Sequence, residues 1–353
     1  MPTRHAEAVN IAPVVATVTP DPAVPFDWRD GERLIRFGRG AIGDAHELLG
    51  ADYVLLTTER AAATAPTVVA AARAVHHVGP GRVDEIAAAL RAPLRAERVA
   101  RRLVALGGGR VIDTAKALAA ADPPRHVGAI PTTLSGAEMT SIHRQIQGVP
   151  PGTPGVRPAT VINDPALCAS QPEAELAASA LNALGHCVEA PLTPLCNPVG
   201  TLAAHAGARL IAEGFGREGE PDRDALALAA LLAGYAISAG GYGLHHVVAQ
   251  TLVRLAGIGH GQANAALLPH TLGALQRRFP ERLSQFAAAL SEDPSSFAAR
   301  LAQRAGSTRL RDLGMAREQL GQCADAASQR GELAMTAPAA DRAELLALYE
   351  AAW

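Results

Sequence analysis

Short apolar runs and longer amphipathic segments alternate through the first half of the chain, as in strands that are joined by crossover helices. The pattern predicts strands at residues 34–38, 53–58, 76–78, 102–106, 126–130 and 160–162. It predicts helices at residues 41–50, 59–74, 83–101 and 110–121. Because strands that are separated by helices pair in parallel, this half predicts an α/β domain with a parallel sheet.

The pattern changes at about residue 166, where alanine-rich segments with helical periodicity begin and strand signals become scarce. Ser170 and Glu173 have the spacing of a capping box, which predicts the start of a helix. Asn197 followed by Pro198 predicts the start of another. The second half is therefore predicted to be all-helical.

Three segments follow from these patterns. Residues 1–25 repeat Pro, Ala and Val without a clear period and are predicted to be a flexible leader. Residues 26–165 form the predicted nucleotide-binding α/β domain, and residues 166–353 form the predicted helical domain for substrate or metal. The boundary lies after the Pro- and Gly-rich stretch at 148–158.

Composition narrows the class of protein. The chain has 353 residues and a formal net charge of -2, without a basic patch that would indicate nucleic acid. No apolar run reaches the ~20 residues that a membrane span needs, and the N-terminus lacks an apolar signal core. The four cysteines show no CxxC spacing. We therefore expect a cytoplasmic protein that binds neither nucleic acid nor membrane.

A glycine turn is the first candidate site. Gly107, Gly108 and Gly109 stand between a predicted strand and helix, where backbone N–H groups can approach a phosphate. Asp113 and Lys116 follow one turn apart and are candidates to hold ribose hydroxyls; Lys116 is the only lysine in the chain. An ordinary tight turn is the alternative, but the full spacing favours a nucleotide site.

Two further stretches fall at ends of predicted strands, where a nucleotide meets a parallel sheet. Thr132, Thr133 and Ser135 are candidates to contact the cofactor, although hydroxyls here also suit a capped turn. Thr58 and Glu59 follow the second strand, where the adenosine ribose usually lies. Glu59 in contact with the ribose would favour NAD, whereas Thr58 in that place would leave NADP open.

A polar cluster is predicted in the helical half. Asn182 and His186 are four residues apart, so both side chains leave one face of a helix. His245, His246 and His260 follow in two glycine-flanked stretches. These histidines and the asparagine could converge on one small polar site, although a lone histidine is more often structural.

Five motifs, taken together and in this order, resemble the iron-containing alcohol dehydrogenase superfamily, and within it the maleylacetate reductases. They are GGGRVIDTAKALA (107–119), PTTLSGAEMT (131–140), ASALNALGHCVEA (178–190), GLHH (243–246) and GHGQANAALLPH (259–270). The resemblance implies the fold shared with dehydroquinate synthase: a nucleotide-binding α/β domain, a helical domain and an active site between them. It also implies NAD(P)H as cofactor and a homodimer.

The resemblance also suggests a metal site. In the metal-dependent branch an Asp and three His bind a divalent ion, and the matching positions here are Asn182, His186, His246 and His260. An amide is a poorer ligand than a carboxylate for Fe²⁺ or Zn²⁺, although three His still suit Zn²⁺. In the metal-free alternative, imidazolium from His245, His246 or His186 stabilises negative charge on a carbonyl oxygen.

Gln250 occupies a position where the superfamily usually has another histidine. Its amide donates a hydrogen bond but transfers no proton. Arg144, Arg157 and His143 are candidates to bind a substrate carboxylate, with solvated surface charge as the alternative. The loop at 145–157, with three prolines, differs from the charged hairpin expected of the reductases.

The first hypothesis is an NAD(P)H-dependent oxidoreductase that transfers hydride to a carbonyl or activated alkene of a small, carboxylate-bearing substrate. The second is a non-redox lyase or cyclase on the dehydroquinate synthase-like scaffold, against which Asn182 argues. The third is a nucleotide-binding protein that has lost catalysis, against which the intact glycine turn and the histidines argue.

Overall fold

A computed structural model describes residues 20–96, 101–150, 152–216, 219–306 and 308–353. Most of the predicted leader, residues 1–19, therefore lies outside the described residues, as does the end of the helix predicted at 83–101. The strands are β1 (Phe26–Asp30), β2 (Arg33–Phe37), β3 (Tyr53–Thr57), β4 (Ala72–His77), β5 (Arg102–Gly107), β6 (His126–Pro131) and β7 (Thr160–Asn163).

The helices divide between the two halves of the described chain. Those of the first half are α1 (Ala45–Leu49), α2 (Glu59–Thr64), α3 (Pro66–Ala70), α4 (Val83–Ala96) and α5 (Gly109–Ala121). Those of the second half are α6 (Glu173–Glu189), α7 (Pro198–Phe215), α8 (Arg223–Gly240), α9 (Leu244–Leu255), α10 (His260–Arg278), α11 (Pro280–Leu290), α12 (Pro294–Arg304), α13 (Gln319–Ser328) and α14 (Arg342–Ala352).

The seven strands form one sheet in the order β1-β2-β7-β6-β5-β3-β4. All neighbours pair in parallel except β1 and β2, which form an antiparallel hairpin at one edge. The predicted α/β half with a parallel sheet and the all-helical second half are thus confirmed. The pattern missed β1, whose half-buried and exposed positions alternate as in an edge strand.

The sheet order brings the candidate nucleotide residues to one edge. β5 pairs with both β3 and β6, with Gly107 opposite Pro131 and Leu106 opposite Thr57. Since parallel strands end on the same side of a sheet, the glycine turn lies between the ends of its two neighbours. This edge faces the helical half.

Two local predictions were wrong. The helix predicted at 59–74 is divided into α2 and α3 because Pro66, at the first position of α3, lacks the N–H that a continuous helix requires. It also ends too late, since residues 72–74 belong to β4, which starts before the strand predicted at 76–78. The predicted capping box is absent: Pro172 precedes α6 without a side-chain cap, and the Ser170 hydroxyl donates to Leu167 O instead. The cap at Asn197 is confirmed, since its Oδ1 accepts from Gly200 N at 2.9 Å.

The helical half is organised around α6, which packs against α7, α8, α10 and α12. Most of its length is buried among apolar side chains, yet Asn182, His186 and Glu189 are buried there too. Burying polar groups is costly unless they are hydrogen-bonded, so this group indicates a site. No single described helix is long and apolar enough to cross a membrane; α8 and α9 would pass only as a pair bent by 103°.

Candidate active site

The glycine turn packs directly against the loop that follows β6. A Cβ atom at position 108 would lie 2.9 Å from Thr133 Cγ2, and one at position 109 would lie 3.0 Å from Ser135 Cβ. Larger residues would therefore push the two loops apart. α5 begins at Gly109 with no side-chain cap, so its first N–H groups remain available to an anion. The structure thus joins Thr133 and Ser135 to the predicted phosphate-binding turn.

Lys116 is a structural residue in this arrangement. Its side chain is fully buried, and Nζ lies 2.8 Å from Asp113 Oδ1, 2.9 Å from Ala137 O and 3.3 Å from Thr140 Oγ1. Lys116 thus donates to two oxygens of the loop after β6 and forms an ion pair with Asp113; its predicted contact with a ribose stays a prediction. Lys116 fixes the loop after β6 and the carboxylate of Asp113, which stays partly exposed.

Two hydrogen bonds connect the nucleotide edge with α6. Leu134 N donates to Ser179 Oγ at 2.9 Å, and Asn182 Nδ2 donates to Ser135 O at 3.4 Å. The loop also approaches α8 closely, because a Cβ at Gly136 would lie 2.9 Å from the Cα of Gly234. The polar face of α6 is therefore held beside the edge of the sheet.

The structure brings the predicted cluster together. The rings of His186 and His246 stack with centroids 4.8 Å apart. His260 Nε2 lies 3.1 Å from Asn182 Oδ1. Since the Asn182 amide nitrogen donates to Ser135 O, its oxygen accepts from His260, which must carry its proton on Nε2. α6, α9 and the start of α10 thus supply one site.

Glu189 belongs to this site, although the sequence analysis did not select it. Its buried carboxylate accepts from the backbone N–H groups of Gly243 at 3.3 Å, His245 at 2.7 Å and His246 at 3.1 Å. His246 Nδ1 donates to Oε2 at 2.6 Å. The sequence does contain a signal for Glu189: it is a carboxylate three residues after His186, on the same side of a largely apolar helix.

The protonation states follow from burial. Burial lowers the pKa of His246 to about 3 and places the pKa of His186 well below its ordinary value. Burial also raises the pKa of Glu189, and the backbone N–H groups that donate to it oppose this rise. The predicted imidazolium is therefore not the resting form. His246 is neutral with its proton on Nδ1, and Nε2 has no hydrogen-bond partner among the described residues.

His245 points away from this site. Its Nδ1 lies 2.9 Å from Thr271 Oγ1, its Nε2 lies 2.9 Å from Asn264 Oδ1, and the side chain is fully buried. Gly185 provides the space for the ring, because a Cβ there would lie 2.8 Å from His245 Cδ2. With both nitrogens engaged, the predicted role of His245 as a spare acid is wrong; it ties α9 to α10.

The donor atoms fit a divalent metal only in part. His186 Nδ1 and His246 Nε2 are buried without partners in the described part of the chain, and Glu189 behind His246 resembles the carboxylate that orients a metal-binding histidine. His260 and Asn182, however, bond to each other. Among the residues described, no three His, Cys, Asp or Glu side chains form a metal-binding group. The Fe or Zn site stays a prediction.

Gln250 lies one turn beyond His246 and is half-buried. Its Oε1 accepts from Arg330 Nη2 at 2.8 Å. Arg330 also pairs with Glu332 at 2.6 Å, and the ring of Tyr242 lies 5.7 Å from that of His246. Arg330 follows Gln250 by 80 residues, so no local spacing could have identified it.

The three residues predicted to bind a substrate carboxylate have different partners in the structure. Arg157 pairs with Asp30 on β1, so its charge already has a partner, and its predicted contact with a substrate carboxylate stays a prediction. Arg144 lies 3.6 Å from Asp84, and its positive charge contributes to the lowered pKa of His260. His143 Nδ1 bonds to the carbonyl oxygen of Arg144 at 3.1 Å.

The remaining cofactor candidates lie at the expected edge. The Thr58 hydroxyl caps α2 by accepting from Ala61 N at 3.2 Å, and the exposed Glu59 follows it. Thr132 is nearly buried, and its N–H donates to Gly107 O at 3.1 Å. Their contacts with a nucleotide stay predictions.

The comparisons with known proteins identify the family to which this parallel sheet, with its glycine turn beside a buried histidine cluster, belongs. The family description "Iron-containing alcohol dehydrogenase" matches residues 33–165, and "Fe-containing alcohol dehydrogenase family, C-terminal" matches residues 176–353. The chain belongs to the iron-containing alcohol dehydrogenase family.

Maleylacetate reductases are among its relatives, which confirms the predicted branch. Maleylacetate reductase 2 of Cupriavidus pinatubonensis is 36% identical over 225 residues, which cover 62% of this chain and 61% of that relative, less than two thirds of its length. The maleylacetate reductase of Sphingobium indicum is 31% identical over 313 residues, covering 82% of this chain and 86% of the relative.

Solved structures share the fold. The maleylacetate reductase from Agrobacterium tumefaciens has a TM-score of 0.78 at 27% identity, covering 93% of this chain and 97% of that one. The iron-containing alcohol dehydrogenase from Corynebacterium glutamicum has a TM-score of 0.78 at 28% identity, covering 90% of this chain and 94% of that one.

Proposed function

We propose that the protein is an NAD(P)H-dependent reductase, similar to maleylacetate reductase, that reduces a carbonyl or activated alkene of a small acidic substrate. One observation carries the proposal. The hydrogen bonds Leu134–Ser179 and Asn182–Ser135 hold the loop beside the glycine turn against the histidine-bearing helix. A nucleotide at that turn would meet a substrate at the histidines.

The glycine turn fits the cofactor because Gly108 and Gly109 leave no side chain between the N-terminus of α5 and a pyrophosphate. When bound, NAD(P)H supplies the hydride. Thr133 and Ser135 offer hydroxyls beside the turn, and Lys116 holds Asp113 where its carboxylate borders the cleft. These side chains bind and orient; they transfer no proton.

His246 is suited to handle the proton that balances the hydride. In the direction of alcohol oxidation, its unpartnered Nε2 accepts the hydroxyl proton, while Glu189 holds Nδ1–H and stabilises the resulting positive charge. In reduction, His246 first takes up a proton from water at Nε2, with Glu189 stabilising the resulting imidazolium, and then passes that proton to the substrate oxygen. His186 stacks on His246 and restricts its rotation. Gln250 lies one turn away and can orient the substrate by hydrogen bonding.

The proposal also includes a cytoplasmic homodimer and a carboxylate-bearing substrate, as the family resemblance implies. A bound metal is the alternative means of polarising the substrate oxygen, with His186 and His246 supplying its open donor atoms.

The test is consumption of NADH and NADPH with maleylacetate and with neutral ketones. We expect net cofactor oxidation that matches product formation, and a kcat lower by about 10²- to 10⁴-fold in His246→Gln. His126→Gln, at an exposed histidine on β6, is the matched control and should leave kcat unchanged. Substrate turnover without net oxidation of the cofactor would instead establish the lyase or cyclase, and no turnover would refute the enzyme.

A further inference from the structure

One face of α9 leads from the histidine cluster to solvent. His246, Gln250 and Arg254 follow one another at intervals of four residues, so their side chains leave the same face on successive turns. His246 is 3% exposed, Gln250 is half-buried and Arg254 is exposed. Exposure thus rises along this side of α9 from the histidine cluster to Arg254.

The direction of the side chains brings the three closer than their backbone positions suggest. The Cα atoms of His246 and Arg254 are separated by about 12 Å along the helix axis, at about 1.5 Å per residue. Helical side chains lean towards the N-terminus of their helix. The guanidinium of Arg254 is therefore expected to lean towards Gln250 and His246 rather than away from them.

Arg254 carries the uncompensated charge of this region. Arg330 pairs with Glu332 at 2.6 Å, and Arg144 lies 3.6 Å from Asp84. No hydrogen-bond acceptor or carboxylate pairs with Arg254 within the described ranges.

Other charged side chains lie near Arg254. Burial, followed by the positive charges of Arg330 and Arg144, lowers the pKa of Arg254, while Tyr242 and the negative charge of Glu332 oppose this. The guanidinium groups of Arg330 and Arg144 thus each lie close enough to repel that of Arg254. An anion placed beside Arg254 would relieve that repulsion and supply the missing partner.

We propose that Arg254 binds the carboxylate of the substrate and so determines the specificity of the enzyme for acidic substrates. Arg144 adds positive potential there. Gln250, whose carbonyl oxygen accepts from Arg330, lies between His246 and Arg254 on the helix and contacts the substrate between its carboxylate and its reacting group. This assignment rests on the proposed function, since it concerns the acidic part of the same substrate.

Binding of maleate, a dicarboxylate that serves as an unreactive probe, tests the assignment without turnover. Calorimetric titration of the full chain, with NAD⁺ present, should show binding that Arg254→Ala weakens by about 10- to 100-fold, as expected for a hydrogen-bonded charge pair. Arg254→Lys, which retains the charge but loses the planar fork, should fall in between. Arg29→Ala, at an exposed arginine on β1, should bind maleate like the native chain.

Kinetics provide the second readout. With an acidic substrate, Arg254→Ala should raise KM by a similar factor, with little change in kcat or in KM for NAD(P)H; with a neutral ketone it should change neither. Equal maleate affinity in Arg254→Ala and the native chain would overturn the assignment, as would failure of the native chain to bind maleate. Maleate binding through Arg254 without cofactor oxidation would uphold the assignment and refute the reductase.

Discussion

Glu189 offers a sharp test of how the site holds His246. In Glu189→Gln, one of the two side-chain oxygens becomes an NH₂ group, which cannot accept. Glu189 Oε2 now accepts from His246 N and Nδ1, and Oε1 accepts from the backbone N–H groups of Gly243 and His245. Whichever way the amide turns, two of these four donors lose their acceptor.

The size of the effect follows from this count. A buried donor without a partner costs about 1 to 3 kcal/mol, so losing the acceptor of both Gly243 N and His245 N would lower the free energy of unfolding by about 2 to 6 kcal/mol. The orientation that keeps the backbone N–H groups of Gly243 and His245 bonded turns the NH₂ group towards His246. Nδ1 must then accept, and the proton moves to Nε2, where a base is needed. In this orientation, only the backbone N–H of His246 is left without an acceptor once Nδ1 accepts, and the loss should be about 1 to 3 kcal/mol. The comparable exchange of a buried carboxylate behind a catalytic histidine lowers kcat by about 10⁴-fold in serine proteases.

Two assays separate the effects. Chemical denaturation measures the loss of stability. Reduction of NAD(P)⁺ with an alcohol as substrate, the direction in which Nε2 acts as a base, measures kcat under conditions where the variant is folded. Glu175→Gln, on the exposed part of α6 where Glu175 pairs with Arg60 at 2.9 Å, is the control and should alter neither by much. A folded Glu189→Gln with native kcat would refute the assignment of His246 as the group that exchanges the proton.

Three further predictions concern other buried groups. Burial raises the pKa of Glu138 to about 7, and neither of its carboxylate oxygens has a partner in the described chain. The folded state therefore holds this proton more tightly than the unfolded state, and stability should fall as pH rises from about 4.5 through about 7. Glu138→Gln has no carboxyl group to ionise, so it should escape the loss of about 3 kcal/mol in the free energy of unfolding that the native chain undergoes as pH rises. In chemical denaturation, the stability of the variant relative to the native chain should therefore be greater at about pH 8 than at about pH 5; the same difference at both pH values would contradict the raised pKa. Lys116→Arg should cost about 1 to 3 kcal/mol through overpacking and raise KM for NAD(P)H, because Asp113 loses its fixed partner; native thermal stability and KM would contradict the structural role. Asn182→Asp should increase the Zn²⁺ content of purified protein in metal analysis, whereas unchanged content would show that the missing carboxylate is not what limits metal binding.

Local spacing explains how much of the fold the sequence predicts. Apolar runs such as Tyr53–Thr57 are buried on both faces of the sheet and are visible without knowledge of their neighbours. β1 pairs only with β2 and keeps polar residues on its exposed positions, so its pattern resembles a loop. The continuous helix predicted at 59–74 was wrong because Pro66 interrupts it. The capping box predicted at Ser170 was wrong because the Ser170 hydroxyl donates to Leu167 O instead.

The candidate site divides in the same way. The glycine turn and the pair Asn182–His186 depend on spacing within one element and could be recognised. Glu189 and Arg330 act through partners 57 and 80 residues away, a relation that only the packing of helices establishes. The choice between His245 and His246 is also tertiary. Adjacent residues on a helix point about 100° apart, so only one of them faces the cleft.

Asn182 has a role beyond the loss of a metal ligand. An amide donates and accepts at once, and here it donates to Ser135 O and accepts from His260 Nε2. A carboxylate in its place could keep the bond to His260 but would face the carbonyl oxygen of Ser135 without a proton to share. Asn182 thus joins the loop beside the nucleotide turn to the start of α10 in one residue. Asn in place of Asp at position 182 therefore has two effects: it weakens a metal site, and it connects the two halves of the proposed active site. Metal content measures the first effect, and KM for NAD(P)H measures the second.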